Sequence, residues 1–159
     1  MIQSSQELKN LHPASVNTVR IPTIRFDNRI EVIHPFLRIG RGISIVDNAG
    51  SGGIMGNIDI ETGRVYAASD EFGKVYDVHP DTGIQLIDFE IPRWKEAIEL
   101  TKAMAKVVPE VRYVGWDLAL TDNGWVMIEG NDRGQFVFQG PDQKGFREEF
   151  ERIRGELLS

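Results

Sequence analysis

The chain has 159 residues, enough for one compact domain with its own core. Hydrophobic residues make up 41% and charged residues 26%, an ordinary globular balance, and the formal net charge of −6 excludes a general nucleic-acid binder while allowing a local basic pocket for phosphate. There are no cysteines, which removes disulfides, thiolate metal sites and cysteine nucleophiles from consideration.

The segment from Met1 to Leu8 has neither the basic nor the apolar region of a secretory signal. No stretch approaches the roughly 18 apolar residues that a membrane span needs. The expectation is a soluble cytoplasmic protein with no membrane or nucleic-acid partner.

In chain order, residues 2–10 predict a short helix that ends at Leu11-His12-Pro13. Residues 17–26 and 29–39 read as two strands of a hairpin around Asp27-Asn28, with Pro22 marking an edge or a bulge. A two-residue turn there places Arg20 and Arg38 on opposite faces, and a three-residue loop places them on the same face. Residues 40–57 hold a glycine-rich loop that includes Asn48, Gly52 and Gly53. A second hairpin follows, with Ile58-Asp59-Ile60 and residues 64–67 flanking Glu61-Thr62-Gly63, and then a less regular stretch around Asp81-Thr82-Gly83. Pro92 opens a helix in which Trp94, Ala97, Ile98, Thr101, Met104, Ala105 and Val108 keep helical spacing until Pro109. Phe146, Phe150, Ile153 and Leu157 mark the core stripe of a last helix. Hairpins plus two substantial helices, without regular βαβ alternation, predict an α+β fold with a mainly antiparallel sheet.

The chemistry concentrates in one predicted hairpin, Tyr113 to Leu120, a turn at Thr121-Asp122-Asn123-Gly124, and Trp125 to Asn131. A three-residue loop with Gly124 left-handed sets Thr121 opposite Trp125, Asp117 opposite Glu129 and Gly115 opposite Asn131. Alternation then sends Trp116, Leu118, Leu120, Val126 and Ile128 to an apolar face, and Gly115, Asp117, Ala119, Met127, Glu129 and Asn131 to the other. Two facing carboxylates repel unless a cation lies between them. Two carboxylates and an amide are an oxygen donor set suited to Mg²⁺ or Mn²⁺ shared with substrate phosphates. The competing reading is a solvated acidic sheet face.

This hairpin resembles the acidic and Glu-x-Asn signature of ATP-grasp enzymes, carried here by Asp117 and by Ile128-Glu129-Gly130-Asn131. Ser15 to Ile21, Phe36 to Gly40, Val46-Asp47-Asn48 with Gly52-Gly53, and Tyr113 to Asp117 make the chain similar to the sugar-transfer-associated branch, from about residue 11 to the C-terminus. The resemblance implies an ATP- and Mg²⁺-dependent ligase that activates a carboxylate as an acyl phosphate, in a branch linked to cell-surface polysaccharide biosynthesis. It implies Asp117, Glu129 and Asn131 as metal ligands. It places Arg20 and Arg38 as catalytic arginines against phosphate or an acidic small-molecule substrate, where a planar fork stabilises a transferring phosphoryl group. Asn48, Gly52 and Gly53 are candidates for backbone anion contacts, and Met127 for the adenine or for core packing.

Residues 1–159 thus look like a single domain similar to the C-terminal ATP-grasp subdomain, with the first subdomain and its lysine expected to be missing. The alternative is a non-catalytic metal- and phosphate-binding half-domain that docks on a partner chain or on itself. Arg133, following Asn131-Asp132, either aims a guanidinium at the site or serves a turn. The glycine-rich loop lacks the Gly-Lys-Ser/Thr of a Walker loop and the third glycine of a dinucleotide fingerprint, and Ser51 lacks a nucleophile-elbow context. His12, His34 and His79 each neighbour a proline without metal-binding spacing and read as structural.

Overall fold

The computed structural model describes residues 4–43, 52–134 and 145–158. The helices are α1 (Gln6–Lys9), α2 (Trp94–Val107) and α3 (Arg147–Leu158). The strands are β1 (Thr18–Arg25), β2 (Ile30–Val32), β3 (Phe36–Ile39), β4 (Ile54–Ile58), β5 (Val65–Asp70), β6 (Tyr113–Thr121) and β7 (Gly124–Asn131). Among the described residues the strands form one sheet in the order β5-β4-β3-β1-β6-β7, with β2 also paired to β1, and every pairing is antiparallel. The α+β architecture expected from hairpins plus two substantial helices is the one observed.

The two sheet faces carry different loads. Val19, Ile21, Leu37, Ile39, Ile54, Ala68, Trp116, Leu118 and Leu120 build the main core with Leu8 of α1 and Trp94, Ala97 and Ala105 of α2. Helix α2 packs across β1, β2, β6 and β7. Its apolar residues recur every three to four positions, so one stripe meets the sheet and the rest faces water. The irregular stretch after β5 adds Tyr76, Leu86 and Ile91 to the same core. Helix α3 buries Ile153 against Ile24, Phe26 and Ile33, with Tyr113, Phe150 and Leu157 alongside. Ile24 and Tyr113 are cross-strand partners, in step with Arg20, Gly115 and Asp117. Helix α3 therefore lies on the face opposite the main core. The last predicted apolar stripe is core, as its spacing implies.

The β1–β2 connection is a two-residue turn, closed by Phe26 N–H donating to Arg29 O at 2.8 Å. Continued unbroken, that register would put Arg20 and Arg38 on opposite faces. It is not continued. Thr23 pairs with Val32, but Arg20 pairs with Phe36, so residues 33–35 face only residues 21–22. The extra residue is absorbed where His34 takes φ 41° and Ile33 N–H donates to Pro22 O at 3.0 Å. One inserted residue exchanges the faces, and Arg38 returns to the face of Arg20. Pro22 sits at this irregularity, where a missing N–H is tolerated in a central strand.

Candidate functional site

Cross-strand registers assemble the site from four strands, β1, β3, β6 and β7. Arg20 lies opposite Asp117, Thr18 opposite Arg38, Asp117 opposite Glu129, and Gly115 opposite Asn131. Directly opposed residues point to the same side. Arg20, Arg38, Asp117, Glu129 and Asn131 therefore share one face, away from the main core.

Asp117 is the hub. Arg20 grips it in a two-pronged fork, with Nε donating to Oδ1 at 2.5 Å and Nη2 to Oδ2 at 2.5 Å. Arg38 adds Nη1 to Oδ2 at 3.0 Å. The carboxylate side chain is 5% exposed and each arginine side chain 14%, so these contacts are only weakly screened by water. The carboxylate accepts two of Arg20's N–H groups, which raises the Arg20 pKa further above its already high ordinary value. The guanidinium is permanently charged here. Tyr113 flanks it: burial pushes the phenol pKa up, against the lowering effect of Arg20, and the hydroxyl donates to Gly134 O at 3.2 Å.

Gly115 provides the path for this contact. A Cβ there would lie 3.3 Å from Arg20 Cδ and 3.7 Å from the Tyr113 hydroxyl, so the arginine stem lies across the bare backbone of β6. The sequence places Gly115 on the face of the acids; only the structure shows that an arginine stem fills the room beside it and that Tyr113 walls it. The available signal was the spacing of Tyr113, Gly115 and Asp117 at every second position.

The β6–β7 hairpin reaches the expected pairing of acids by a different route. Its turn has two residues, Asp122-Asn123, closed by Thr121 opposite Gly124, rather than three. Leu120 then faces Trp125 and Leu118 faces Met127, and a bulge restores Asp117 opposite Glu129. Ile128 is the extra residue. Two expectations are corrected as a result. Met127 falls in register with Leu118 of the core side, not with the acids, and is 49% exposed at the sheet edge. Ile128 does not join the apolar face but is 42% exposed, and Trp125 is buried in place of Val126 and Ile128. The cause lies just ahead of α2: the indole N–H of Trp125 donates to Arg93 O at 3.0 Å, which holds that ring on the core side. Bulges commonly re-aim side chains beside functional sites.

In Glu129-Gly130-Asn131, the central glycine lies opposite Trp116 on the core side. A Cβ on Gly130 would come within 3.0 Å of Trp116 Cζ3, and the indole is held in place by its N–H donating to Thr23 Oγ1 at 2.9 Å. Glu129 is exposed and Asn131 half-buried. Arg133 is an exposed residue of the turn after β7.

The start of the glycine-rich loop is anchored by buried polar groups. Asn17 accepts from Gly40 N–H at 3.2 Å and from Ser15 at 3.0 Å, while its amide donates to Leu8 O and His12 O at 2.7 and 3.2 Å. His12 contacts Ser15 and Gly42 O, and His79 donates to Gly40 O at 2.9 Å. Burial holds the His79 pKa below its ordinary value, in keeping with a neutral ring that accepts from Asp81 N–H. Gly52 adopts φ +83° beside Arg41, and Arg41 pairs with Asp70 and donates to the Tyr76 hydroxyl. Gly53 is buried. Asn48 lies outside the described residues.

A family model described as sugar-transfer-associated ATP-grasp matches residues 1–155. The chain belongs to this family. With membership come an ATP-dependent, ligase-like fold and nucleotide binding as the family character. No curated protein matches the chain, and no solved structure does. Among the described residues, no helix is long and apolar enough to cross a membrane.

Members of an ATP-grasp family typically use Mg²⁺ with ATP, and the donor chemistry of this face can be tested against that ion. No three His, Cys, Asp or Glu side chains gather as a metal cluster among the described residues. The face offers two carboxylates and one amide, all oxygen donors. Such a set is too small for a protein-only cage but suits Mg²⁺, which usually takes one or two carboxylates and completes its shell with phosphate and water. The formal charges of Arg20, Arg38, Asp117 and Glu129 sum to zero, which favours a cation arriving together with an anion. The residues fit the ion on those terms.

Proposed function

We propose that this face binds the polyphosphate of ATP with Mg²⁺ or Mn²⁺ and serves ligase chemistry, in which a carboxylate is activated as an acyl phosphate and phosphate is then displaced by a nucleophile. One observation carries the reading: Arg20, Arg38, Asp117, Glu129 and Asn131 converge on one sheet face through three strand pairings, and Arg38 reaches Asp117 directly. The cation, when bound, neutralises phosphate oxygens and polarises the phosphorus toward attack.

The chain's own groups then divide the work. Asp117, Glu129 and Asn131 present oxygens to the cation. Arg20 and Arg38 present N–H forks to phosphate or to the acidic small-molecule substrate, with Tyr113 limiting water on one side. Gly52 and Gly53, with Asn48, are the candidates for backbone contacts to phosphate. Met127, in register with the core side and exposed, lies apart from the charged cluster, and its candidacy for the adenine rests on the family resemblance alone. Family membership supports extending the reading to cell-surface polysaccharide biosynthesis, with an acidic small molecule as substrate.

A second reading, a half-domain that docks on another chain, is favoured by the edge strand β7, where Met127 and Ile128 are both exposed. Mn²⁺ titration in the presence of a non-hydrolysable ATP analogue tests the metal site that both readings share, and sizing by light scattering tests the docking. Ligase-site binding requires Glu129→Gln to weaken Mn²⁺ uptake by at least about tenfold, the usual scale for losing one charged metal ligand or its partner. Equal affinity in wild type and Glu129→Gln refutes the metal site.

A further inference from the structure

The fork between Arg20 and Asp117 has a consequence for what the site accepts. Asp117 receives three N–H groups, on both of its oxygens, and its side chain is 5% exposed. A carboxylate has about four lone-pair positions. A cation approaching the one that remains would meet Arg20, whose Nε sits on Oδ1 and Nη2 on Oδ2. Two cations sharing one buried carboxylate repel strongly in a poorly solvated setting. The geometry points to Arg20 as a specificity-determining residue: it occupies Asp117 as a resident counter-ion, excludes the free divalent cation, and yields the carboxylate only when an incoming phosphate offers its guanidinium a replacement partner. The site therefore selects the cation–polyphosphate complex over the cation alone.

The surroundings permit the exchange. The Arg20 stem crosses Gly115, where the absence of a Cβ leaves the side chain free to swing without moving β6. Arg38 also touches Oδ2, so Asp117 keeps one positive neighbour throughout. Glu129, opposite Asp117 and exposed, lies close enough to Arg20 to act on its charge. It is positioned to receive the cation from solvent. Phosphate gains by the same move, because a guanidinium released from one bidentate acceptor is shaped for another.

This inference rests on the metal–phosphate reading above, and its test keeps the two distinguishable. Mn²⁺ affinity is measured by paramagnetic resonance for the full chain, with and without a non-hydrolysable ATP analogue, in wild type, Arg20→Met, Arg20→Lys and Glu129→Gln. Wild type should show coupling between cation and nucleotide of about tenfold or more. Arg20→Met, which keeps the stem and removes the charge, should bind Mn²⁺ alone about fivefold tighter than wild type and lose most of the coupling. Arg20→Lys, with a single prong, should fall between them. Unchanged or weaker binding of Mn²⁺ alone by Arg20→Met overturns the inference while leaving the metal site standing. If wild type takes up no Mn²⁺ even with nucleotide, or Glu129→Gln matches it, the metal site itself is wrong and the inference goes with it.

If Arg20→Met does not fold, the wild-type protein supplies the answer through the Arg20 Nε–H resonance in a nitrogen-15 spectrum. That resonance should move when Mg²⁺ and the analogue are added together, and should stay in place with Mg²⁺ alone at the same concentration. A static Arg20 signal while the indole N–H of neighbouring Trp116 reports saturation by the complex refutes the exchange.

Discussion

Asp117→Asn tests the hub directly. The substitution keeps the volume, removes the charge and turns one acceptor into an N–H donor facing Arg20 or Arg38. Three hydrogen bonds to a charged acceptor are affected, at 2.5, 2.5 and 3.0 Å. Hydrogen bonds involving a charged group are worth about 1.5–3 kcal/mol each, but simple addition overstates the loss. Asparagine keeps one carbonyl acceptor, and arginine side chains that are 14% exposed can recover some hydration. Breaking a fully buried pair costs about 3–5 kcal/mol, so with that relief the expected loss is about 2–4 kcal/mol. Urea unfolding followed by tryptophan fluorescence measures it, with Trp116 adjacent to Asp117 in the chain as a reporter. Arg20→Met in the Asp117→Asn background should then cost less than in wild type by at least about 1 kcal/mol, because the stranded guanidinium is removed. A loss below about 0.5 kcal/mol for Asp117→Asn, with strict additivity in the double variant, would mean that the cluster contributes nothing to the fold and would refute the argument from burial.

Two further outcomes follow from the same structure. Gly130→Ala places a Cβ about 3.0 Å from Trp116 Cζ3, against an indole that Thr23 holds in place, and should destabilise by about 1–3 kcal/mol through overpacking; wild-type stability would show that the Trp116 ring yields freely. For His79, the folded-state pKa is depressed by burial, so its contribution to stability is present above the unfolded value of about 6.5 and is lost as pH falls through the lower folded value. The stability advantage of wild type over His79→Gln should accordingly be larger at pH 7.5 than at pH 5.5 in paired urea unfolding curves, and a gap that widens on acidification contradicts the assignment.

Much of the fold is legible in local pattern because local pattern is what carries it. Pro92 and Pro109 bracket α2, and the apolar spacing between them identifies the face that meets the sheet. The run from Tyr113 to Asn131 alternates well enough to bring Asp117 opposite Glu129, and the structure has that pairing. The family resemblance carried by Asp117, Glu129 and Asn131 is likewise borne out by the family match over residues 1–155.

What the chain could not disclose alone is where single residues are inserted. A strand has a side-chain period of two, so one extra residue exchanges every face beyond it. Whether that residue sits in the turn or in a bulge depends on partners remote in sequence. Trp125 is drawn to the core by Arg93 O of the segment leading into α2, which shortens the turn to two residues and displaces Ile128 and Met127 from their expected sides. The same holds for Arg20 and Arg38. Their two-residue turn at Asp27-Asn28 predicts opposite faces, and only the insertion at residues 33–35 brings them together on Asp117. Periodicity determines sides within a strand. Packing between elements decides where the period is broken, and here one break lies between β2 and β3 and the other within the β6–β7 hairpin, both beside the charged cluster.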